Sequence, residues 1–358
     1  MATINIDTNK IIENIKKLDV FLSGFGISWS LITKMACGNE QLLQKILNES
    51  YLKNLHSIGD ARLSNLKMVK KISPDVKTIY IKPPALVQIK NVVNYSDISL
   101  NSSLTTINEI NKASKAIGKI HQIIVMIEMG ELREGVLRNN VLSFYEKILN
   151  LSNVEVIGLG TNLGCMYGIE PTYDKLIQLS LYKLLLEEKF RKKLPLISGG
   201  SSITLPLISK RLPKSLNHLR IGETAFHGIS LDNGKKFRNL STHAFNFSAE
   251  IIELEKKESV PDGNIGDAGI GHTAGFDENE NIISHRAIVD FGSIDVNSED
   301  LTPRDENIKF IGTTSDMTVY NLGENKQGYK VGDKIHFLPN YMATARLLNS
   351  KYITKEIK

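Results

Sequence analysis

Cysteine is scarce: Cys37 and Cys165 are the only two in 358 residues, and neither belongs to a CxxC pair or a Cys/His metal spacing. That excludes a disulfide framework and a thiolate metal centre, and reduced thiols fit an intracellular compartment. No apolar run approaches membrane-spanning length. The opening Met-Ala-Thr-Ile-Asn-Ile-Asp lacks the basic and apolar regions of a signal peptide, so the expectation is a cytoplasmic protein. Basic tracts interleaved with aromatics are also missing. The formal charge of +5 is spread over short clusters such as Lys70–Lys71, Arg191–Lys192–Lys193 and Lys235–Lys236, which read as solvated helix ends and turns. Nucleic acid is therefore not an expected partner. There is no GxxxxGK[ST] loop, no low-complexity segment and no sequence repeat beyond an alternation of elements.

What is present is the composition of an ordinary globular protein, 41% apolar and 23% charged, long enough for one large domain and a smaller one. Strand-like runs at 27–33, 55–58, 76–82, 98–101, 121–129, 154–161, 195–198 and 218–221 alternate with amphipathic stretches such as 104–117 and 173–190. Eight β/α units in about two hundred residues predict a closed (β/α)8 barrel over 1–236. From residue 237 long helical patterns give way to short runs separated by Pro-Asp-Gly, Asp-Glu-Asn-Glu-Asn and Gly-Glu-Asn-Lys-Gln-Gly turns. That pattern predicts an all-β domain over 237–358. Thr3–Asp7 reads as an edge strand before an opening helix.

Barrels of this kind place chemistry where each strand meets its following loop. The first strand ends at Lys34, a natural Schiff-base former, with a solvated structural lysine as the alternative. The fifth ends in Glu128-Met-Gly-Glu131-Leu-Arg133-Glu134-Gly135, the sixth in Gly160-Thr161-Asn162, the seventh in Ser198-Gly-Gly-Ser201-Ser202 and the eighth in Arg220-Ile-Gly222-Glu223. The last two offer hydroxyls and close backbone approach, which suits a phosphate after strands seven and eight; a ligand-free Gly/Ser turn is the other reading. A lysine across the mouth from a phosphate site suggests pyridoxal 5′-phosphate, with Arg220 near its pyridine nitrogen. An arginine stays charged and cannot accept the proton that an acidic partner would leave on that nitrogen. Simple removal and return of a Cα proton is then favoured, unless Arg220 belongs to a plain structural salt bridge.

At these residues the sequence resembles the alanine racemase family of fold-type III pyridoxal-phosphate enzymes, in particular its branch of ornithine racemase and related amino-acid racemases. The resemblance spans nearly the whole chain and rests on Leu31–Gly38, Glu128–Gly135, Gly158–Gly168, Ser198–Ser202, Leu219–Glu223 and Gly312–Met317. It implies that Lys34 binds the cofactor and acts as one base. Arg133 would contact the phenolic oxygen and the substrate carboxylate, and Asn162 would stand where alanine racemases have a ring-contacting histidine. Ser201, with Ser202 beside it, would bind phosphate together with the Gly222 amide, and Arg220 would face the pyridine nitrogen. Ser315 and Asp316 match a segment that a partner subunit points into the site, which implies a head-to-tail homodimer.

Two departures stand out. Alanine racemases carry a tyrosine shortly after the cofactor lysine, where this chain has Cys37, and a second-base tyrosine in a loop matching Pro261–His272, which here contains none. Asp267 is the candidate for the opposite-face base, with His272 in reserve; a turn aspartate and a solvated histidine are the alternatives. The expected function is a two-base amino-acid racemase. Glu131 and Glu134 beside Arg133 point to a basic substrate such as ornithine or lysine, although exposed loop carboxylates read the same way. A basic amino-acid decarboxylase of the same fold type and a non-catalytic pyridoxal-phosphate homeostasis protein are the other readings.

Overall fold

Each apolar run between residues 28 and 221 is strand-length and separated from the next by a helix, so parallel pairing with the run on either side is the arrangement that buries both faces. The computed structural model describes residues 1–48, 54–210, 212–266, 269, 271–273, 275 and 282–358. After β1 (Thr3–Ile6) and the helix Thr8–Ser23 come β2 (Ser28–Ile32), β3 (Leu55–Asp60), β4 (Thr78–Tyr80), β5 (Ile98–Asn101), β6 (His121–Met126), β7 (Val154–Gly160), β8 (Leu196–Ser201) and β9 (His218–Ile221). Among the described residues, β2 to β9 close into a parallel barrel in that order, and β9 pairs back onto β2 with Ser30 opposite Arg220. Ile79, Ile98, Leu100, Ile124, Met126, Ile157 and Leu196 form a buried cluster within it.

The predicted fifth strand over 121–129 stops at Met126 because the chain turns there. The Glu128 carboxylate accepts from the backbone N–H groups of Gly130 at 2.7 Å and Leu132 at 3.0 Å. The predicted seventh strand over 195–198 instead runs on to Ser201 through a bulge. Ser198 pairs with His218 and Ser201 with Arg220, so three steps on β8 face two on β9. Gly200 absorbs the extra residue with φ +112, a conformation that side chains other than glycine rarely adopt.

The expected boundary at 236/237 and the edge-strand reading of Thr3–Asp7 both need correction. One compact unit is Lys10–Thr242, and the other joins Met1–Asn9 to His243–Lys358. In the latter, β1 lies between β10 (Phe245–Lys257), antiparallel to it, and β17 (Thr354–Ile357), parallel to it. Ile4 and Ile6 are fully buried there, which is why the segment is an inner strand. The unit continues through β11 (His272–Thr273), β12 (Ser284–Val289), β13 (Leu301–Pro303), β14 (Lys309–Thr313), β15 (Thr318–Asn321) and β16 (Lys334–Pro339). Its centre is aromatic: Phe247, Phe291, Tyr320 and Phe337 pack with ring centroids 5.1 to 6.5 Å apart. No helix among the described residues is long and apolar enough to cross a membrane.

Candidate active site

The lysine turn is held from both sides. Thr33 N–H donates to Gly59 O at 2.8 Å, and its hydroxyl donates to Gly59 O and to Asp60 Oδ2, each at 3.3 Å. Lys34 then opens a single turn of 3-10 helix in which Met35 and Ala36 are buried, fixing where its side chain leaves the strand. Asp60 is fully buried at the end of β3 and also accepts from Arg62 N at 2.8 Å and Asn65 Nδ2 at 3.2 Å. Burial pushes its carboxyl up to about 6 against those hydrogen bonds. Gly38 has φ +72, and a Cβ there would lie 2.7 Å from Asn65 Oδ1, so the turn also closes against Asn65.

Across the β9–β2 seam, Ser202 Oγ lies 3.3 Å from Gly222 N and 3.5 Å from Thr224 N, accepting from the first N–H groups of the helix Glu223–His227. Ser202, rather than Ser201, is the hydroxyl joined to those amides. Ser201 ends β8 and caps the turn Ser202–Thr204 without a side-chain capping bond. Glu223 stands beside this cradle. Burial raises its carboxyl above the ordinary range, opposed by the charge of Lys34.

Arg220 is 4% exposed. Its Nη2 donates to Thr161 O at 2.7 Å and Asn162 Oδ1 at 2.5 Å, and its Nη1 donates to Ser198 Oγ. Burial lowers its pKa to about 10, with Glu134 opposing and Arg133 reinforcing the shift. Asn162 in turn donates to Glu134 Oε1, and Arg133 grips both oxygens of Glu134 while Nη1 reaches Cys165 Sγ. Arg133, Glu134, Asn162 and Arg220 thus form one continuous chain, so the ends of β6, β7 and β9 are tied together. The salt-bridge alternative for Arg220 does not describe it: among the described residues its hydrogen-bond partners are a hydroxyl, a carbonyl and an amide oxygen.

Glu131 departs from both sequence readings. It is 2% exposed and accepts from the backbone N–H groups of Cys165 at 3.0 Å, Tyr167 at 2.9 Å and Ile169 at 2.9 Å. It therefore stitches the loop after β6 to the loop after β7 and has no free edge for a substrate. Those backbone hydrogen bonds hold its carboxyl below the ordinary range despite burial. Asp60, which ends β3, was missed, although strand ends were the signal that picked out its neighbours. Ser198 and Glu134 were named from the sequence, but not as the hydrogen-bond partners of Arg220 and Arg133.

The second unit carries the rest. Asp267 lies outside the described residues. His272 stacks on Phe310 at 5.8 Å, with Nε2 3.7 Å from Glu299 Oε1 and the side chain 62% exposed. Ser315 Oγ donates to Asp316 Oδ2 at 2.5 Å in a turn closed by Thr314 N–H to Met317 O at 2.8 Å. A Cβ on Gly292 would fall 2.2 Å from Ser315 O, so glycine there lets two backbones approach.

A parallel barrel with Lys34, Arg133, Asn162, Ser202 and Arg220 at one mouth, joined in the chain to a second, sheet-based unit, defines a two-unit α/β-barrel protein. Residues 6–229 match the family described as alanine racemase, N-terminal domain, and the chain belongs to that family. It is 32% identical over 360 residues to an ornithine racemase of Acetoanaerobium sticklandii, covering 99% of each chain. It is 28% identical over 351 residues to a lysine racemase of Thermotoga maritima, covering 98% of this chain and 96% of that one. Among solved structures, an alanine racemase of Corynebacterium glutamicum superposes with a TM-score of 0.73 at 16% identity, over 100% of this chain and 99% of that one.

Proposed function

We propose that the protein is a pyridoxal-phosphate-dependent racemase of a basic amino acid, ornithine or lysine, working with two bases. The observation that carries this reading is Arg220, a buried cation whose hydrogen-bond partners among the described residues are all neutral. Such a guanidinium suits one further neutral acceptor, which is what a pyridine nitrogen is. The residues present fit the cofactor elsewhere too. Ser202 and the amides of Gly222 and Thr224 suit a phosphate at the N-terminus of a helix, and the bulge between Ser198 and Ser201 delivers Ser202 to that place.

Lys34 would hold the cofactor's aldehyde carbon, Arg133 the substrate carboxylate, and Asn162 would brace Arg220 from beside the ring. When bound, the cofactor supplies delocalisation of the electron pair that a departing Cα proton leaves behind. Lys34 Nζ takes or returns that proton on one face. On the other face the reading assigns Asp267, with His272 in reserve, each from a second subunit that also brings Ser315 and Asp316. Exposed Ile265 and Met317, in the same two segments, are consistent with surfaces meant to be covered. Arg220 keeps its proton near neutral pH and so neither protonates the ring nitrogen nor accepts from it. That favours returning the proton to Cα over deeper rearrangement. With Glu131 bound to three backbone amides and Glu134 gripped by Arg133, the substrate's distal ammonium falls to Glu223.

A chiral assay of L- and D-amino acids with cofactor-saturated protein tests the reading. Loss of optical rotation with ornithine or lysine is expected. Release of carbon dioxide instead supports a decarboxylase, and binding without turnover supports a homeostasis protein. Borohydride reduction and peptide mapping should place the cofactor on Lys34. An adduct on another lysine sinks the assignment.

A further inference from the structure

Beneath the mouth, a run of side-chain hydrogen bonds continues past the groups described so far. Arg220 Nη1 donates to Ser198 Oγ, and Ser198 Oγ lies 2.9 Å from His218 Nδ1. His218 Nε2 lies 2.9 Å from Ser30 Oγ, Ser30 Oγ 2.7 Å from Ser57 Oγ, and Ser57 Oγ 3.3 Å from His56 Nδ1. Ser30, Ser198 and His218 are completely buried. The strands dictate the arrangement. His218 and Arg220 are two apart on β9 and so share a face, while Ser30 sits opposite Arg220 on β2 and Ser198 opposite His218 on β8.

A guanidinium has donors only, so at this end Ser198 Oγ must accept. Burial, helped by His56 and Arg220, holds the His218 imidazole well below its usual range and hence neutral, with one ring nitrogen donating and the other accepting. If the proton is on Nε2, each member passes its own hydrogen onward from Arg220 to His56, and the bonds polarise one another. If it is on Nδ1, Ser198 receives two N–H groups and its own hydrogen has no place in the chain.

We propose that His218 is a positioning residue, carrying its proton on Nε2 so that Ser198 donates to Nδ1 and holds the Arg220 guanidinium in one orientation. The role rests on the reading that Arg220 faces the cofactor's ring nitrogen. The chain makes this possible without a carboxylate, leaving the charge of Arg220 uncompensated by its direct partners and its remaining N–H groups aimed by neutral dipoles.

Nitrogen-15 shifts of labelled histidine in the cofactor-free protein, with the His218 signal assigned by its loss in His218→Asn, read the tautomer directly. A neutral ring protonated at Nε2 is expected; a proton on Nδ1 overturns the proposal. Pyridoxal-phosphate dissociation constants then separate positioning from packing. Asparagine retains an acceptor near the Nδ1 position and glutamine a donor near Nε2, so each variant loses one buried hydrogen bond. Binding near the native level is expected for His218→Asn, with about tenfold weakening for His218→Gln and Ser198→Ala, the size of one lost buried hydrogen bond. The double variant Ser198→Ala/His218→Gln should bind no worse than Ser198→Ala. Equal weakening in His218→Asn and His218→Gln overturns the positioning role. Native protein that takes up no pyridoxal phosphate overturns the functional reading itself, a different result from native binding with no difference between the two variants.

Discussion

Asp60 and Glu131 are both buried carboxylates near the mouth, yet their surroundings shift them in opposite directions, and the sign decides what pH does to each. Asp60 has a folded-state pKa near 6, above the unfolded value, so the fold binds its proton more tightly than the unfolded chain does. Its contribution is greatest at acidic pH and is lost as pH rises toward 6. The loss is roughly 3 kcal/mol for a shift of this size. Urea midpoints from pH 4 to 7 should show that decline in the native protein and not in Asp60→Asn. Glu131 is depressed, so its contribution is full above the unfolded carboxylate range and disappears on acidification below it. Glu131→Ala leaves three backbone N–H groups without their acceptor and should lower stability by about 2–3 kcal/mol, read as a fall in the urea midpoint. Glu223 differs from both in facing the charge of Lys34. If it receives a substrate ammonium, Glu223→Gln should raise KM for ornithine about tenfold or more while leaving KM for alanine near native, a split read from initial rates.

At the scale of elements, the segment Ser198-Gly-Gly-Ser-Ser shows how a local irregularity serves a site. A regular strand would pair 198 to 201 in step with β9. The bulge takes up an extra residue and delivers Ser202 to the start of the helix Glu223–His227. Gly200→Ala forces a side chain into φ +112 and sets a Cβ 2.6 Å from Thr204 Oγ1. It should cost about 1–3 kcal/mol of stability and weaken binding of pyridoxal phosphate, measured by dialysis, more than binding of pyridoxal. Equal weakening of the two would detach the bulge from phosphate. The eight barrel strands were legible because their alternation with helices is strong and local. Two of them, 98–101 and 218–221, match their predicted limits, and the others differ at their ends. Those differences arise where a side chain or a neighbouring strand decides, as Glu128 does in ending the fifth strand and Gly200 in extending the seventh.

At the scale of the whole molecule, the proposed two-base mechanism with a shared site makes a prediction that a self-contained site does not. If Lys34 acts with Asp267 of a second subunit, Lys34→Ala and Asp267→Asn proteins should each be inactive. Mixing them and allowing exchange should restore about a quarter of native activity, because half of the dimers then hold one intact site of two. No recovery, in a mixture shown by native mass spectrometry to contain hybrids, would mean that each site uses its own chain.

The candidate residues were readable from the sequence as positions at the mouth of a barrel. Lys34, Arg220 and the Gly/Ser segment stand at strand ends, and strand ends follow from hydrophobic periodicity, which is a property of consecutive residues. The contribution of Thr3–Ile6 to the second unit's sheet was not readable, because nothing local distinguishes an edge strand from one whose neighbours are about 240 and just over 350 residues away. Nor was the difference between Ser201 and Ser202, which the bulge decides, or the removal of Glu131 from the list of substrate carboxylates. That last outcome depends on three backbone amides from another loop, and a carboxylate's role is set by which donors reach it. The sequence by itself determined the barrel, its mouth and the kinds of side chain found there. Only the tertiary structure decided which hydroxyl, which carboxylate and which histidine act on which partner, because hydrogen bonds are made across strands and loops while periodicity runs along one chain.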